Sequence, residues 1–258
     1  MNYDTITYDL TDGLAVLTLN RPDKMNALNT QMRAEIAHAV RDAGTTARAL
    51  VIVGSGRAFC SGQDLGDRAN AGEVDLERTL KDEYEPLLRA IYDAPIPIIA
   101  AVNGAAAGAG ANIALAADVV IAKESAYFMQ AFSRIGLIPD AGGTYWMPRM
   151  MGFAKAMGAA LFAEKLPAKD AANLGLIWEC VADDEFDAAW KARAEYLAKG
   201  PTKSFASIKQ AMRASLTNDL DQQLALEAKL QGECGQSRDF KEGVMSFLEK
   251  RTPDFEGR

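Results

Sequence analysis

The segment "PIPIIAAVNGAAAGAGANIALAADVVIA", residues 95–122, decides how this chain folds. A buried apolar strand, opened by prolines, is predicted to end at Asn103. Small residues follow, an Ala-rich helix is predicted to begin near Gly108, and "DVVIAK" predicts the next strand. The free N–H groups of a helix start and the positive end of its dipole coincide at that turn. Such a turn suits an anion or a developing oxyanion.

The same turn allows two other interpretations. Gly108 and Gly110 begin a G-x-G, but Ile113 stands where a dinucleotide-binding fingerprint has its third glycine. Alternatively, the small residues simply let a helix pack closely on a sheet. A second turn, in "GSGRAFCSGQDL", favours the oxyanion interpretation, because it also can leave N–H groups unpaired, near Gly62 and Gln63.

Strands and helices alternate through the first two thirds of the chain. "YDTITYDL" and "LAVLTLN" flank "TDG" and predict a β-hairpin that leads to a helix starting near Asn29 or Thr30. "ARALVIVGSG" predicts another buried strand, and from about Phe153 the pattern turns helical, with only "IWECVA" resembling a strand. We expect one α/β core with a helical C-terminal part, in a single continuous unit.

Composition narrows the function classes. The 258 residues are 49% hydrophobic and 24% charged, as in ordinary globular proteins. A net charge of −7 argues against a nucleic-acid-binding protein, whose affinity comes mainly from clustered Lys and Arg. The N-terminus lacks the features of a signal peptide, and no apolar run reaches the roughly 18 residues of a membrane span, so we predict a cytoplasmic protein without a membrane partner.

Few side chains of the usual catalytic types are available. The single histidine, His38, falls on the polar face of a predicted helix, so a His-dependent nucleophile is not expected. Cys60, Cys180 and Cys234 are far apart and odd in number, which predicts reduced thiols rather than a disulfide scaffold. Without His ligands or paired Cys we predict no metal site.

Five segments, in order and across essentially the whole chain, resemble the enoyl-CoA hydratase/isomerase (crotonase) family: "NRPDKMNAL", "AFCSGQDL", "AAVNGAAAGAGANIALAADVVIA", "FSRIGLIPDAGGT" and "AKDAANLGLIWECV". The resemblance implies the α/β crotonase (ClpP-like) fold, a spiral of repeated ββα units over residues 1–200 with a helical trimerisation region over 201–258. It implies an acyl-CoA substrate, no separate cofactor because CoA enters with the substrate, and a homotrimer or dimer of trimers.

The resemblance also assigns site residues by motif position. The backbone N–H groups of Gln63 and Ala109 become the donors of an oxyanion hole. Segments that border the CoA nucleotide and pantetheine in the family contain Lys24, Ala27, Ala58 and Ser61. Further residues implied to line the substrate site are Gly62, Gly108, Gly110, Phe132 and Gly136.

Asp140, in "GLIPDAGGT", occupies the position at which several isomerases and the dehalogenase of the family carry their working carboxylate. An Asp before Gly-Gly can also be a mere turn former. The two glutamates of the hydratases correspond here to Asn112 and Phe132, and neither can act as a base. We therefore predict an isomerase in which Asp140 removes the proton next to the thioester carbonyl.

Apolar neighbours are expected to tune that acid. Leu137 and Ile138, with Phe132, should desolvate Asp140 and raise its pKa. The loop that closes over the substrate is predicted within residues 66–82.

Within the family, the quoted segments and the ending "DFKEGVMSFLEKRTPDFEG" are most similar to isomerases of 1,2-epoxyphenylacetyl-CoA. We predict conversion of that thioester to oxepin-CoA, in which collapse of the enolate opens the epoxide, and a Δ3 to Δ2 double-bond shift as a second activity. Three alternatives stay open. They are a general Δ3,Δ2-enoyl-CoA isomerase, an enoyl-CoA hydratase and a non-catalytic acyl-CoA-binding scaffold.

Overall fold

The computed structural model describes residues 3–68 and 75–258, and those residues contain ten strands. The strands are β1 (Ile6–Thr11), β2 (Leu14–Leu19), β3 (Ala49–Gly54), β4 (Ala58–Cys60), β5 (Ile98–Val102), β6 (Ala105–Ala107), β7 (Val119–Lys123), β8 (Tyr127–Met129), β9 (Leu166–Pro167) and β10 (Glu179–Val181). They form a six-stranded sheet in the order β1-β2-β3-β5-β7-β10 and a four-stranded sheet in the order β4-β6-β8-β9.

The same residues contain eleven α-helices. They are α1 (Thr30–Thr46), α2 (Leu76–Thr79), α3 (Glu85–Tyr92), α4 (Ala109–Ala116), α5 (Gly143–Met151), α6 (Phe153–Phe162), α7 (Ala168–Asn173), α8 (Phe186–Lys199), α9 (Thr202–Ala214), α10 (Leu220–Gly235) and α11 (Arg238–Glu249). A π-helical turn over Leu80–Tyr84 joins α2 to α3. Short 3-10 helices cover Pro22–Lys24, Leu65–Arg68 and Ala131–Ile135.

The predicted hairpin and first helix are confirmed. β1 and β2 pair antiparallel around Asp12 and Gly13, both of which have positive φ, as the tightest hairpin turns require. The side chain of Asn29 accepts a hydrogen bond from the N–H of Met32 and caps the start of α1. His38 is exposed, and its Nδ1 lies 2.8 Å from the hydroxyl of Tyr3.

Two apolar strands, β3 and β5, lie in the middle of the large sheet. β3 and β5 pair in parallel and are buried along almost their whole length, which matches the continuous apolar runs of the sequence. β7 and β10 extend the sheet in parallel on the far side of β5, as expected from "DVVIAK" and "IWECVA". The sheet therefore stands in the centre of the hydrophobic core.

The small sheet was not predicted, and it corrects the interpretation of both glycine turns. Ala58–Cys60 and Ala105–Ala107 form β4 and β6, where the sequence suggested only turns of small residues. Three strands of the large sheet are each followed by a short strand of the small one, so β3-β4, β5-β6 and β7-β8 each contribute one strand to each sheet. This repeated unit is the spiral expected of the crotonase fold.

The C-terminal residues form α9 to α11, and two salt bridges connect α9 to the core. Lys209 Nζ lies 2.8 Å and Arg213 Nη2 lies 2.6 Å from the carboxylate of Asp118, at the start of β7. Large apolar side chains remain exposed on these helices, among them Ile208, Met212, Leu220, Leu224, Phe247 and Leu248. Across residues 3–68 and 75–258, no helix combines the length and apolarity needed to cross a membrane.

Candidate active site

The two glycine turns of the sequence meet beside the small sheet. Gly62 has a φ of +95°, and a Cβ on it would lie 2.9 Å from the carbonyl oxygen of Ala107 and 3.5 Å from the amide nitrogen of Ala109. A Cβ on Gly108 would lie 4.0 Å from the Cα of Gly62. The turns that carry the amides of Gln63 and Ala109 are therefore in direct contact, and only glycine fits at position 62.

The N–H of Gln63 faces away from the neighbouring chain segment. Gln63 forms a parallel bridge with Leu28, whose N–H donates to the carbonyl of Gly62 at 2.8 Å and whose carbonyl accepts from the N–H of Asp64 at 3.1 Å. In a parallel ladder the amide of the bridged residue itself points to the opposite side. The Gln63 N–H is therefore not used by Leu28.

The N–H of Ala109 is the first of a helix. Gly108 is the N-cap of α4 and donates its own N–H to the carbonyl of Met129 at 2.8 Å. The first N–H groups of an α-helix have no partner within the helix and carry the positive end of its dipole. The next residue, Gly110, lets α4 approach β4, since a Cβ on it would lie 2.4 Å from the carbonyl oxygen of Cys60.

Asp140 lies on the loop between the 3-10 helix Ala131–Ile135 and α5. Its Oδ1 is buried and has no hydrogen-bond partner among the described residues. Burial raises the pKa of the Asp140 carboxyl to about 6. An acid of this kind is a stronger base when ionised than an exposed aspartate, and it is largely ionised at neutral pH.

Asn112 holds this loop through its side chain. Its Nδ2 donates to the main-chain carbonyl of Asp140 at 2.8 Å and to Gln130 Oε1 at 3.2 Å. Gln130 Nε2 donates in return to Asn112 Oδ1 at 2.8 Å, and both amides are buried. The residue at the position of the first hydratase glutamate therefore orients the Asp140 loop, and as an amide it cannot accept a proton from water.

Phe132 fills the position of the second hydratase glutamate. Its ring is buried, and Cζ would lie 3.8 Å from a Cβ on Gly108, so an apolar surface borders the Ala109 turn. The predicted rise of the Asp140 pKa by burial is confirmed, and Ile138 lines the same pocket although its own side chain is 77% exposed. Tyr84 lies in the same pocket as Asp140, and its pKa is raised mainly by burial; the charge of Arg33 opposes this shift and the charge of Asp140 adds to it.

A pocket of about 630 Å³ opens beside Asp140. The indole of Trp146 packs against Tyr92, with ring centroids 5.5 Å apart, and edge-on against Tyr145 at 4.7 Å. Aromatic and aliphatic side chains make up most of its wall, namely Leu80, Tyr84, Leu88, Tyr92, Ile138, Tyr145 and Trp146. A pocket of this size and lining suits a ring-sized apolar group.

Segments predicted to border CoA run next to the Gln63 turn. Ser61 donates its N–H to the carbonyl of Met25 at 3.0 Å and its hydroxyl to the carbonyl of Lys24 at 3.4 Å. Asn26 is fully buried and donates to the carbonyl of Ala58 at 2.9 Å. Lys24 is exposed. The structure thus brings Lys24, Ala58 and Ser61 close together, although Ala58 itself is fully buried.

Ala27 and Gly136 complete the predicted set. Ala27 is buried and precedes Leu28, and its carbonyl accepts a hydrogen bond from Arg21 Nη1 at 2.5 Å. Gly136 ends the 3-10 helix in a left-handed conformation, and nothing lies within 4 Å of a Cβ on it. Gly136 is also not among the residues that line the Asp140 pocket. The roles of all these residues in binding stay predictions.

Sequence reasoning missed Tyr84 and Tyr92 in the pocket. Both lie in a charged helical stretch that gave no sign of a site, and α3 brings them to Asp140 only through the tertiary fold. The predicted closing loop, residues 66–82, falls partly on residues 69–74, outside the described residues. In the described ranges, no group of three or more His, Cys, Asp or Glu side chains is placed to hold a metal ion.

Comparisons with known proteins identify the family of the chain. A family model described as "Enoyl-CoA hydratase/isomerase" matches residues 9–258. The chain is 64% identical over 258 residues to the "Probable enoyl-CoA hydratase" of Rhodobacter capsulatus, covering 100% of both chains. It is 45% identical over 251 residues to the "1,2-epoxyphenylacetyl-CoA isomerase" of Escherichia coli, covering 95% of this chain and 96% of the relative.

A solved structure supports the same assignment. The enoyl-CoA hydratase from Bacillus anthracis superposes with a TM-score of 0.94 at 28% identity, covering 99% of this chain and 100% of that one. The chain belongs to the enoyl-CoA hydratase/isomerase family, is an enzyme of that family and has its fold. The family prediction made from the five motifs is thereby confirmed, and the names of the relatives divide between hydratase and isomerase.

Proposed function

We propose that this enzyme is an isomerase of acyl-CoA thioesters. The observation that carries the proposal is Asp140, a half-buried residue with a raised pKa and a buried, unpartnered oxygen, at an apolar pocket. The Tyr84 hydroxyl, which donates to Gln63 Oε1, links this pocket to the Gln63 turn, and Asn112 of α4 links the Asp140 loop to the helix that begins at Ala109. One base and one oxyanion hole suffice for isomerisation by proton transfer.

In the proposed reaction, the Asp140 carboxylate takes the proton from the carbon next to the thioester carbonyl. The C–H electron pair moves into the thioester, and the N–H groups of Gln63 and Ala109 stabilise the enolate oxygen. Protonated Asp140 then returns the proton at a carbon conjugated with the enolate. No atom is gained or lost, so neither water nor a redox cofactor is consumed.

The substrate we propose is 1,2-epoxyphenylacetyl-CoA, which rearranges to its seven-membered oxepin isomer, with a Δ3 to Δ2 double-bond shift of linear thioesters as a second activity. The aromatic wall of Tyr84, Tyr92, Tyr145 and Trp146 suits a six- or seven-membered ring. The printed activity of the Escherichia coli relative supports the same substrate. Comparing turnover of the epoxide with that of a linear 3-enoyl-CoA separates this proposal from a general Δ3,Δ2-enoyl-CoA isomerase.

A hydratase is the second candidate, favoured by the printed name of the Rhodobacter capsulatus relative. Hydration needs groups that position and activate a water molecule. At the corresponding positions this chain has Asn112, which is occupied with Gln130 and the Asp140 backbone, and the buried ring of Phe132. Rapid formation of 3-hydroxyacyl-CoA from a 2-enoyl-CoA would overturn the isomerase proposal.

The test of the mechanism is Asp140→Asn. We expect α-proton exchange of phenylacetyl-CoA in deuterated solvent, followed by NMR, to fall by about 10²- to 10⁴-fold, because the variant keeps the oxyanion hole but has no base. Asp184→Asn, at an exposed aspartate outside the pocket, is the matched control. Unchanged exchange in Asp140→Asn would refute the mechanism, whereas a wild-type protein that binds the thioester without accelerating exchange would favour a non-catalytic acyl-CoA-binding scaffold.

We also propose that the enzyme assembles as a homotrimer or a dimer of trimers. The exposed apolar side chains of α9 to α11, such as Met212 and Phe247, support an oligomer because monomers seldom leave so much apolar surface in water. Sedimentation equilibrium tests this proposal, and a monomeric mass at micromolar concentration contradicts it.

A further inference from the structure

The side chain of Gln63 lies in a buried polar cluster that the proposed reaction leaves unused. Gln63 Oε1 accepts hydrogen bonds from Arg33 Nη1, at 3.0 Å, and from the hydroxyl of Tyr84. Arg33 is 1% and Tyr84 is 3% exposed. An amide oxygen has two lone pairs, so both are occupied by these donors. The residue whose main-chain N–H is the proposed oxyanion donor is thus fixed at the far end of its side chain.

Arg33 joins this cluster to the segment that flanks Gln63. Its Nη1 donates to the carbonyl of Leu28 at 2.7 Å, and Leu28 is the residue that bridges to Gln63. Arg33 Nε donates to Glu83 Oε2 at 2.9 Å, which balances the buried charge. One guanidinium therefore holds both sides of the bridge.

Tyr84 joins the same cluster to the substrate pocket. It ends the π-helical turn Leu80–Tyr84 and lines the pocket with Asp140. π-Helical turns are rare and are frequently found at functional sites. Burial raises the pKa of Tyr84, so its hydroxyl stays protonated and continues to donate at neutral pH.

Gly62 explains why an anchor is needed. The N–H of Gln63 belongs to the peptide between Gly62 and Gln63, and a glycine allows this peptide a wide range of orientations. The hydrogen bond from the Leu28 N–H to the Gly62 carbonyl, at 2.8 Å, fixes the peptide on its carbonyl side. A fixed Gln63 side chain restricts rotation of the peptide from the other side. The N–H direction then depends on the anchor as well as on the bridge to Leu28.

We propose that Arg33 and Tyr84 are positioning residues that hold Gln63, and through it the N–H donor, in the orientation that stabilises the enolate. The inference rests on the proposed oxyanion hole. In this proposal the reaction rate depends on a tyrosine hydroxyl that contacts Gln63 and does not itself contact the substrate.

The test compares variants that all keep the main-chain N–H. Gln63→Met removes the acceptor, Gln63→Glu keeps an oxygen in its place, and Tyr84→Phe removes one donor. We expect kcat to fall about tenfold in Gln63→Met and Tyr84→Phe with KM within about twofold, since a misaligned donor loses only part of the effect of a deleted one. Gln63→Glu should recover most of the loss. Tyr8→Phe, a tyrosine of β1 outside the site, controls for loss of a hydroxyl.

A direct readout is the infrared carbonyl stretch of bound phenylacetyl-CoA labelled with carbon-13 at the thioester carbon. Wild type should lower the stretch frequency because the N–H donors polarise the carbonyl, and both Gln63→Met and Tyr84→Phe should show a smaller shift. Because Tyr84 acts through Gln63, Tyr84→Phe should add nothing in the Gln63→Met background.

Two results would overturn the proposal. One is a wild-type stretch and kcat in both Gln63→Met and Tyr84→Phe, and the other is an additive loss in the double variant. Circular dichroism and thermal melts of each variant separate misfolding from a local effect. A wild-type protein that polarises the carbonyl but exchanges no α-proton would refute the isomerase mechanism while leaving the positioning role intact.

Discussion

The two parts of the proposed active site supply different chemical groups. On one side, the turns of Gln63 and Ala109 present main-chain N–H groups, and their geometry comes from glycines that let β4, β6 and α4 approach closely. On the other side, the Asp140 loop presents one carboxylate, whose basicity comes from burial. The main-chain side has no group that titrates near neutral pH, whereas the Asp140 side depends entirely on one.

The difference teaches where each kind of perturbation acts. A substitution on the main-chain side acts by displacing or removing an N–H group. The resulting loss of rate therefore depends on how far the backbone moves. The Asp140 side responds to any change in the charge or burial of one carboxyl. Loss of either side should stop the reaction, but pH and charge should separate the two.

The largest effect on the main-chain side is expected from Ala109→Pro. Ala109 is the first residue of α4, where proline is well tolerated, so the substitution removes the N–H and should leave the helix intact. We expect kcat/KM to fall by about 10²- to 10³-fold, as for loss of one oxyanion donor. Ala109→Ser keeps the N–H and serves as the control. A comparable loss in both variants would mean that steric displacement, rather than the missing donor, explains the effect.

The pH dependence should divide the two sides. Asp140 works as a carboxylate and its pKa is raised to about 6, so kcat/KM should be level above that pH and fall about tenfold per unit below it. The carbonyl stretch of a bound thioester should stay constant over the same range, because amides do not titrate. A profile without a break between about pH 5 and 7 would show that Asp140 is not the base.

A smaller, opposite effect is expected on stability. The pKa of Asp140 is raised on folding, so the native state favours the protonated carboxyl, and ionisation of the buried group costs stability as pH rises from about 4 to about 6. Asp140→Asn should therefore be more stable than wild type by about 1–3 kcal/mol at pH 8, with a smaller difference at pH 4. Urea unfolding at both pH values measures this, and a difference that does not grow with pH would contradict the raised pKa.

The smallest effect concerns the reactivity of Cys60, which lies next to Gly110. Cys60 contacts Gly110, is fully buried, and its pKa is raised by burial to about 12. Iodoacetamide at pH 8 should leave Cys60 unmodified in the folded protein and reach the half-buried Cys180 and Cys234 first. Peptide mapping by mass spectrometry checks this order, and early labelling of Cys60 would show that the Gly110 contact opens.

Much of the fold could be predicted from local pattern. The hairpin, the start of α1 at Asn29 and the buried strands β3 and β5 follow from turn residues, a capping side chain and apolar runs. The short strands β4 and β6 could not be predicted, because three residues are too few to show a periodicity and they pair only when the tertiary fold brings them together. α5 was missed as well, since it begins in a Gly-Gly turn and contains Pro148.

The site shows the same division. Asp140, Gln63 and Ala109 could be identified because they stand in sequence motifs. Tyr84 could not, and neither could the pairing of Arg33 with Glu83, whose partners are 50 residues apart in the sequence. Contacts of this kind depend on how α1 packs against α3, which a single sequence does not encode in any local pattern.

The main-chain origin of the oxyanion donors has a consequence for mutational drift. Of the twenty amino acids, proline alone lacks an N–H, so nearly any replacement of Ala109 or Gln63 leaves the donor in the chain. At position 140, in contrast, almost every substitution removes the carboxylate on which the proposed proton transfer depends. Inactive descendants of this enzyme should therefore arise mostly through loss of the base. They should still bind and polarise thioesters, which leaves a scaffold on which a new catalytic group can be selected.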